Sequence, residues 1–271
     1  MIKYHTLISC AIAALTFVTS NASAETFVLG AIGDSLTSGF NAERIGDNRE
    51  LSWSTGTDQR VESHYQKLQK LHPEVEFLTY NEAIVGARSQ HLLRQVERLQ
   101  RNNPDYVTIS VGANNLCHHV DDWEEARKAY DKEVNDAIVQ LISQNEKIKI
   151  FLSPIPDMAL MREIGLTRGD CQWRWKRFRI CPALLSENVS RSSVLQFQKS
   201  LISANDVLEG IAARHPNNVF FDRTLAETTF EDRHLSRHDC FHPSIDGQNF
   251  YSQLNWDAME SHGFEPFTQH D

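Results

Sequence analysis

Apolar and polar positions alternate along the chain with two different periods. Five short apolar runs, rich in β-branched and aromatic residues, predict buried strands, and the longer segments between them carry apolar residues at helical spacing. The predicted strands cover residues 27–32, 75–80, 106–111, 148–152 and 219–221. This order predicts an α/β fold, in which a parallel sheet of about five strands is covered by helices on both faces.

The longer segments predict helices at residues 89–101, 123–143 and 192–214, with a last helix after Ser244. Apolar residues three or four positions apart lie on one face of a helix. The residues expected on the buried face of the first helix are Leu92, Leu93, Val96 and Leu99. No repeat or proline-rich linker interrupts the pattern, so residues 25–271 are predicted to form a single domain.

Composition and charge narrow the class of protein. The chain has 271 residues, of which 41% are hydrophobic and 23% charged, and this suits one domain with a substantial core. Its formal net charge of -9 argues against a general nucleic-acid partner, because binding to phosphates needs clustered Lys and Arg. We expect a globular monomer that does not bind nucleic acid.

Residues 1–24 have the composition of a signal peptide. Lys3 precedes an apolar run over residues 7–18, and small residues form a cleavage site before Glu25. Lipidation at Cys10 is the alternative, but most of the apolar run follows that cysteine, where a lipidated protein would already have been cut. No other run approaches the roughly 20 apolar residues that span a bilayer. The protein is predicted to be secreted or periplasmic.

The cysteines outside the signal peptide are Cys117, Cys171, Cys181 and Cys240. An even number in an exported protein predicts two disulfides, for which three pairings exist. Cys171 and Cys181 are close enough in sequence to close a local loop, and this would pair Cys117 with Cys240. Four reduced, buried thiols are the alternative.

Two segments far apart in sequence carry candidate catalytic residues. Ser35 follows the first predicted strand directly, in the sequence GDSLT, and Asp239 and His242 lie near the end of the chain in the sequence DCFHP. A serine hydroxyl becomes a useful nucleophile only when a base removes its proton, and a carboxylate can orient that base. We therefore expect Ser35 to be the nucleophile, His242 the base and Asp239 its orienting acid.

Two further residues are candidates for binding the oxyanion that forms during ester hydrolysis. Gly86 follows the second predicted strand and could present its backbone N–H, and Asn114 follows the third and offers a side-chain amide. Together with the N–H of Ser35 they would supply three donors. The carboxyl ends of parallel strands meet at one edge of the sheet, so these groups should lie close together. Alone, Gly86 reads as a turn glycine and Asn114 as a helix cap.

Taken together, these motifs resemble the SGNH (GDSL) hydrolase superfamily. The motifs are GDSL at 33–36, N-x-A-x-x-G at 81–86, G-x-N at 112–114 and D-x-x-H-P at 239–243. The resemblance covers almost the whole chain after residue 24. It implies a three-layer, flavodoxin-like fold, an ester hydrolase without a cofactor, and the catalytic roles given above. The α/β-hydrolase nucleophile motif fits less well, because it requires glycine where Thr37 stands.

Finer features resemble the phospholipase B branch of that superfamily. They are LSWS at 51–54, AIVGA at 83–87, NLC at 115–117, CPALL at 181–185 and DCFH at 239–242. One departure is Asn115, where the family usually has an aspartate that would order the loop carrying Asn114. With the pairing of Cys117 to Cys240, a disulfide would tie the Asp239–His242 turn to that same loop.

The resemblance implies phospholipid or lysophospholipid acyl esters as substrates. An esterase or deacetylase acting on soluble or carbohydrate esters is the alternative within the enzyme class. An inactive lipid- or glycan-binding module on the same fold is the alternative from another class, and the intact set of catalytic positions argues against it.

The segment between Cys171 and Cys181 combines aromatic and basic residues, among them Trp173, Arg174, Trp175 and Lys176. One interpretation is a flap that contacts lipid head groups, since membrane interfaces attract such mixtures. The other is an excursion whose aromatics pack on the body and whose cations pair with nearby acids.

Two groups of histidines and acids have spacings that could suit a metal site. His234, His238 and His242 recur every four residues, and a second group lies at residues 118–122. Pro243 and the polar surroundings argue against one helix through the three histidines, and His242 is already assigned to catalysis. We predict no metal site.

Overall fold

A five-stranded parallel sheet forms the centre of the protein. The computed structural model describes residues 26–119 and 122–267, so the predicted signal peptide lies outside the described residues. The strands are β1 (Thr26–Gly33), β2 (Glu76–Asn81), β3 (Tyr106–Ser110), β4 (Lys149–Leu152) and β5 (Val219–Phe221). Their order in the sheet is β2-β1-β3-β4-β5, and each neighbouring pair is parallel. The predicted α/β fold is confirmed.

Helices connect the strands. They are α1 (His64–Leu71), α2 (Leu92–Leu99), α3 (Ala113–His119), α4 (Trp123–Gln144), α5 (Met158–Leu166), α6 (Cys171–Phe178), α7 (Pro182–Leu185), α8 (Arg191–Arg214), α9 (Thr224–Glu227) and α10 (Ile245–Ser261). Short 3₁₀ turns occur at Arg49–Leu51, Ser89–His91, Gln100–Asn102 and Asp232–His234. Within the described part of the chain, no helix is long and apolar enough to cross a membrane.

Each face of the sheet carries its own apolar cluster, because side chains alternate between the two faces of a strand. On β4, Ile150 belongs to the cluster that Val96 of α2, Ile138 of α4 and Leu208 of α8 complete. The next residue, Phe151, belongs to the cluster on the other face, where α1 and α10 pack. The molecule therefore has three layers, with the sheet in the middle.

The helix predicted at residues 89–101 corresponds to α2, and its predicted buried face is wrong at one position. Leu92, Val96 and Leu99 are buried, but Leu93 is 37% exposed. Successive residues of a helix are rotated by about 100°, so a leucine next to Leu92 cannot point the same way. The polar residue Gln95 takes that buried position.

The prediction of two disulfides is confirmed, but the predicted pairing is wrong. The bonds join Cys117 to Cys181 and Cys171 to Cys240. Cys171 is the first residue of α6 and Cys181 follows the end of that helix. A helix of this length spans about 12 Å, and the Cα atoms of a disulfide lie within about 7 Å of each other. The predicted tie between the Asp239–His242 turn and the loop of Asn114 is therefore absent, because Cys240 bonds to α6 instead.

Candidate active site

The turn that carries Ser35 is shaped by a close approach of two strands. Gly33 ends β1 with φ +136°, and a Cβ atom at this position would lie 2.0 Å from the backbone oxygen of Ser110. The N–H of Asp34 donates to the same oxygen at 3.1 Å. Only glycine fits here, and the chain turns sharply at the carboxyl edge of the sheet, between β1 and β3.

Gln95 of α2 holds this turn from the side. Its side-chain Nε2 donates to the backbone oxygen of Gly33 at 2.9 Å, and its Oε1 accepts from the N–H of Gly33 at 2.7 Å. The residue is fully buried, and its two hydrogen bonds satisfy backbone groups at the end of β1. The sequence analysis assigned no role to Gln95, although a polar residue on the apolar side of α2 was a usable signal.

The structure brings together Ser35, His242 and Asp239, which lie at opposite ends of the chain. The Nε2 atom of His242 lies 2.8 Å from the Ser35 hydroxyl oxygen, and its Nδ1 lies 2.6 Å from Oδ2 of Asp239. All three side chains are buried. An ionised carboxylate only accepts hydrogen bonds, so Nδ1 donates to Asp239 and Nε2 is left to accept from the serine.

The surroundings of Asp239 keep this carboxyl ionised. Burial by itself would raise its pKa, but the charge of His242 and hydrogen bonds from His242 and Asn41 outweigh burial and lower the pKa to about 2. Asn41 donates to Oδ2 at 2.6 Å, and the N–H groups of Phe241 and His242 donate to Oδ1 at 3.0 Å each. Sequence reasoning missed Asn41, which adopts a left-handed conformation (φ +58°) in the loop after the nucleophile.

The segment that carries Gly86 contacts both the end of β1 and Asn114. The N–H of Ile84 donates to the backbone oxygen of Gly33 at 3.1 Å, and Asn114 Nδ2 donates to the backbone oxygen of Ala87 at 3.1 Å. Gly86 itself has φ +74°, with open space where a Cβ would be, so its conformation and not crowding requires glycine. Among the described residues, no acceptor is recorded for the N–H of Gly86 or of Ser35.

Asp34 is a buried carboxyl beside the same asparagine. Its Oδ1 accepts the N–H of Leu36 at 3.0 Å, and its Oδ2 lies 3.4 Å from Nδ2 of Asn114. Burial raises the pKa of Asp34 to about 6, although the Leu36 N–H, the charge of His242 and the Asn114 amide each act to lower it. Asp34 therefore links the nucleophile turn to Asn114, a contact that the sequence analysis did not anticipate.

Asn115 orders the loop at the position where the family usually has an aspartate. Its Oδ1 accepts the N–H of Ser89 at 3.0 Å, and its Nδ2 donates to the Ser89 hydroxyl at 2.7 Å. That hydroxyl donates in turn to Glu133 at 2.6 Å. An amide can donate to the serine oxygen and a carboxylate cannot, so this substitution is matched to its surroundings.

The aromatic and basic segment forms helix α6, and its two tryptophans have different environments. Trp175 is 2% exposed and packs against Gly165, whereas Trp173 is 60% exposed. Arg174 donates to the backbone oxygen of His238 at 2.9 Å and pairs with Asp170. The packing interpretation thus describes Trp175 and Arg174, and lipid contact by the segment stays a prediction. Helix α6 lies beside the loop that carries His242.

The histidines spaced by four residues do not converge. His234 stacks on Phe250, with ring centroids 4.2 Å apart, while His238 Nε2 donates to the backbone oxygen of Glu43 at 2.6 Å. Within residues 26–119 and 122–267, the one group of clustered metal-ligand types contains Cys171 and Cys240, which form a disulfide. The second predicted group lies partly outside the described residues.

A buried serine, histidine and aspartate at the carboxyl edge of an open parallel sheet are typical of serine hydrolases that cleave esters. The chain belongs to the GDSL-like Lipase/Acylhydrolase family, whose model matches residues 31–250. It is thus a carboxylic ester hydrolase of the lipase and esterase type.

Known proteins resemble the chain in sequence and in fold. Human "Phospholipase B1, membrane-associated" is 33% identical over 127 residues, which cover 36% of this chain and 9% of the human protein. The chain therefore matches only a small part of that relative. Two solved structures share the fold. An extracellular lipase from Streptomyces rimosus is 15% identical, with a TM-score of 0.54, and the match covers 87% of this chain and 99% of the lipase. A two-domain esterase active on acetylated mannans is 17% identical, with a TM-score of 0.54, and the match covers 92% of this chain and 52% of the esterase.

Proposed function

We propose that the chain hydrolyses lipid acyl esters, those of phospholipids or lysophospholipids, through an acyl-enzyme on Ser35. The observation that carries this proposal is the continuous hydrogen-bonded series from Asp239 through His242 to the Ser35 hydroxyl. In the first step Ser35 Oγ attacks the ester carbonyl carbon while Nε2 of His242 takes the hydroxyl proton. The protonated histidine then gives this proton to the departing alcohol.

The oxyanion is bound by three donors in this mechanism. They are the N–H groups of Ser35 and Gly86 and the side-chain amide of Asn114. Among the described residues neither backbone N–H donates to a protein acceptor, so both are available to a substrate oxygen. Water, deprotonated by His242, then attacks the acyl-enzyme and releases the acid, so that no cofactor or metal takes part.

Apolar side chains beside the nucleophile support a lipid acyl group as the substrate. Phe40 packs edge-on against the ring of His242, with centroids 5.0 Å apart, and Val85, next to Gly86, is 40% exposed. An acyl chain bound along Phe40 would bury apolar surface beside the base, and one bound along Val85 would do so beside the proposed oxyanion donor Gly86. The similarity to part of phospholipase B1 points the same way.

A soluble or carbohydrate ester is the second candidate. It is favoured by the shared fold with the esterase active on acetylated mannans, which covers 92% of this chain. A short acetyl group would need no long apolar groove beside Ser35, so the two candidates differ in the acyl length that the site accepts.

We also propose that the protein is exported, that residues 1–24 are its signal peptide, and that residues 25–271 act as one domain. The two disulfides support this view, because such bonds persist in oxidising compartments. Mass spectrometry of the protein recovered from outside the cytoplasm would test it, since cleavage should leave Glu25 as the first residue.

The test of the activity compares release of acid from diacyl phospholipid, lysophospholipid and acetylated mannan by the purified protein. Ser35→Ala should lower every rate by a factor on the order of 10⁴ or more and abolish labelling by a fluorophosphonate. Ser143→Ala, which removes an exposed hydroxyl from α4, is the matched control and should keep both. Turnover by Ser35→Ala would refute the mechanism, and release from acetylated mannan alone would establish the second candidate.

A further inference from the structure

Helix α6 presents two aromatic rings to solvent. Trp173 is 60% exposed and Phe178 is 55% exposed, and their rings meet edge-on with centroids 6.4 Å apart. The two rings therefore form a single exposed apolar group. Large aromatic side chains exposed together in this way mark an interaction surface more often than isolated apolar residues do.

Two arginines lie at the carboxyl end of the same helix. The guanidinium of Arg177 lies 5.9 Å from the centre of the Phe178 ring, and Arg179 ends the helix in a left-handed conformation. Neither arginine forms an ion pair within the part of the chain that the structure describes. We call Trp173, Arg177, Phe178 and Arg179 the α6 patch.

The other charges on α6 are already balanced. Arg174 pairs with Asp170 at 3.1 Å, and Lys176 pairs with Glu187 at 3.3 Å. The unbalanced charge of the α6 patch is thus positive, although the chain as a whole carries a formal net charge of -9. A positive, aromatic patch on an acidic protein complements a surface that is negative outside and apolar within.

The catalytic base is fastened to this helix. Cys171, its first residue, is bonded to Cys240, two residues before His242, and Arg174 donates to the backbone oxygen of His238 at 2.9 Å. A disulfide and a hydrogen bond therefore attach the helix that carries the α6 patch to the loop that carries His242. Nε2 of His242 lies 2.8 Å from the Ser35 hydroxyl oxygen, so α6 is connected to the active site through this loop.

We propose that the α6 patch docks the enzyme on an anionic lipid surface, with Trp173 and Phe178 in the interface and Arg177 and Arg179 on lipid phosphates. Tryptophan and basic residues are the side chains that favour this zone, and the negative surface potential of anionic lipid attracts each cation. Docking of this kind would bring the ester carbonyls of the surface to Ser35. The inference rests on the proposed hydrolysis of lipid esters.

Vesicle sedimentation tests the docking separately from catalysis. Full-length Ser35→Ala protein is mixed with vesicles of phosphatidylglycerol and phosphatidylcholine, or of phosphatidylcholine alone, in low and high salt. We expect binding to the anionic vesicles, weakened by salt. Adding Arg177→Gln and Arg179→Gln should weaken it about tenfold or more, since each cation near an anionic surface contributes a severalfold factor.

Matched variants control for charge and for apolar surface. Arg94→Gln with Arg101→Gln removes two exposed cations near α2 and should leave binding unchanged. Trp173→Ala with Phe178→Ala should abolish binding, whereas Leu71→Ala, at an equally exposed leucine of α1, should not. Each of these substitutions is also made in the protein that keeps Ser35. There it should leave the rate of hydrolysis of a soluble p-nitrophenyl ester unaltered, which checks that the variant folds.

The outcomes separate this inference from the proposed function. Equal vesicle binding by the α6 variants and their controls would overturn the docking, even where lipid esters are hydrolysed. Loss of binding to acetylated mannan instead of vesicles would also overturn it, because the α6 patch would then be a glycan surface. Failure of all ester hydrolysis, with vesicle binding that depends on the α6 patch, would refute the proposed function alone.

Discussion

The two halves of the proposed catalytic group are held in different ways. Ser35 follows a central strand, and its turn is fixed by the backbone of Ser110 on β3 and by the buried side chain of Gln95. His242 lies on a loop outside the sheet. That loop is held by a disulfide from Cys240 and by bonds to other loops, such as the one from the Ser236 hydroxyl to the backbone oxygen of Asn41 at 2.6 Å.

This difference separates what sustains the fold from what sustains the catalytic geometry. A change at the nucleophile turn disturbs the contact between β1 and β3 and so affects the whole molecule. A change in the base loop breaks contacts between surface segments, and the sheet can remain intact. We therefore expect substitutions at the turn of Ser35 to reduce the free energy of unfolding, and substitutions in the loop of His242 to reduce kcat.

The largest expected effect is on the base side, at Asp239. Asp239→Asn should leave the sheet folded but lower kcat/KM by about 10⁴-fold, because the neutral amide no longer holds the histidine in its working tautomer. Ester hydrolysis and circular dichroism of the same samples measure the two quantities. Asp136→Asn, on the exposed side of α4, is the control and should be silent. Unfolding of Asp239→Asn would show that the loop of His242 also sustains the fold, and would contradict the distinction drawn above.

On the nucleophile side, Gly33→Ala should be the most destabilising small substitution. The added methyl group would lie 2.0 Å from the backbone oxygen of Ser110, at a φ of +136°. Strain and forced strand separation should reduce the free energy of unfolding by about 4 kcal/mol or more. Urea unfolding measures this loss. Gly210→Ala, in α8 with open space around it, should instead stabilise slightly, and similar effects of the two changes would contradict our account.

Removing each disulfide in turn sharpens the comparison. The bonds close loops of similar sequence separation, 64 and 69 residues, so replacing either pair by serines should reduce the free energy of unfolding by about 3 kcal/mol. Only loss of Cys171–Cys240 should also lower kcat by about tenfold or more, because small displacements of a base are costly.

The Cys117–Cys181 variant serves as the control for that experiment. Asn114 and its neighbour Asn115 keep their bonds to Ala87 and Ser89, so the oxyanion loop should stay in place without this disulfide. Measured below the unfolding transition, equal losses of kcat in the two variants would show that the base loop does not depend specifically on its disulfide.

The smallest effect should come from Asn41→Gly, which keeps the left-handed backbone but removes the donor to Asp239. A hydrogen bond to a charged group contributes about 1.5–3 kcal/mol, so we expect roughly a tenfold loss of kcat and a modest loss of stability. Asn103→Gly, at another left-handed asparagine, controls for the backbone change.

This variant also predicts a pH dependence. The pKa of Asp239 in the folded protein is about 2, below its ordinary value of 3.8, so its stabilising effect is present above about pH 4 and is lost as the pH falls toward 2. Without the Asn41 donor the folded pKa rises, and acid unfolding should begin at higher pH. The difference in stability from the natural protein should shrink below about pH 3. A difference that does not vary with pH would mean that Asn41 does not act on the ionised carboxylate.

The positions that sequence reasoning missed share one property. Gln95, Asn41 and Asp34 act by hydrogen bonds to residues or backbone groups at the active site. The three partners are 62, 198 and 80 residues away in sequence. The failed pairing of Cys171 with Cys181 has the same origin. Their short separation suggested a bond, but the helix that forms between them keeps their sulfur atoms apart.

The sequence by itself determined the five strands with their limits to within a residue, the longer helices α2, α4, α8 and α10, and the candidates Ser35, His242, Asp239, Gly86 and Asn114. It could do so because hydrophobic period, glycine conformation and short motifs are local properties of the chain. The tertiary structure alone decided the disulfide pairing, the contacts of Asp34, Asn41 and Gln95, and the exposure of Trp173 beside the buried Trp175. These features depend on which distant segments come into contact when the chain packs, and the local spacing of residues does not determine those contacts.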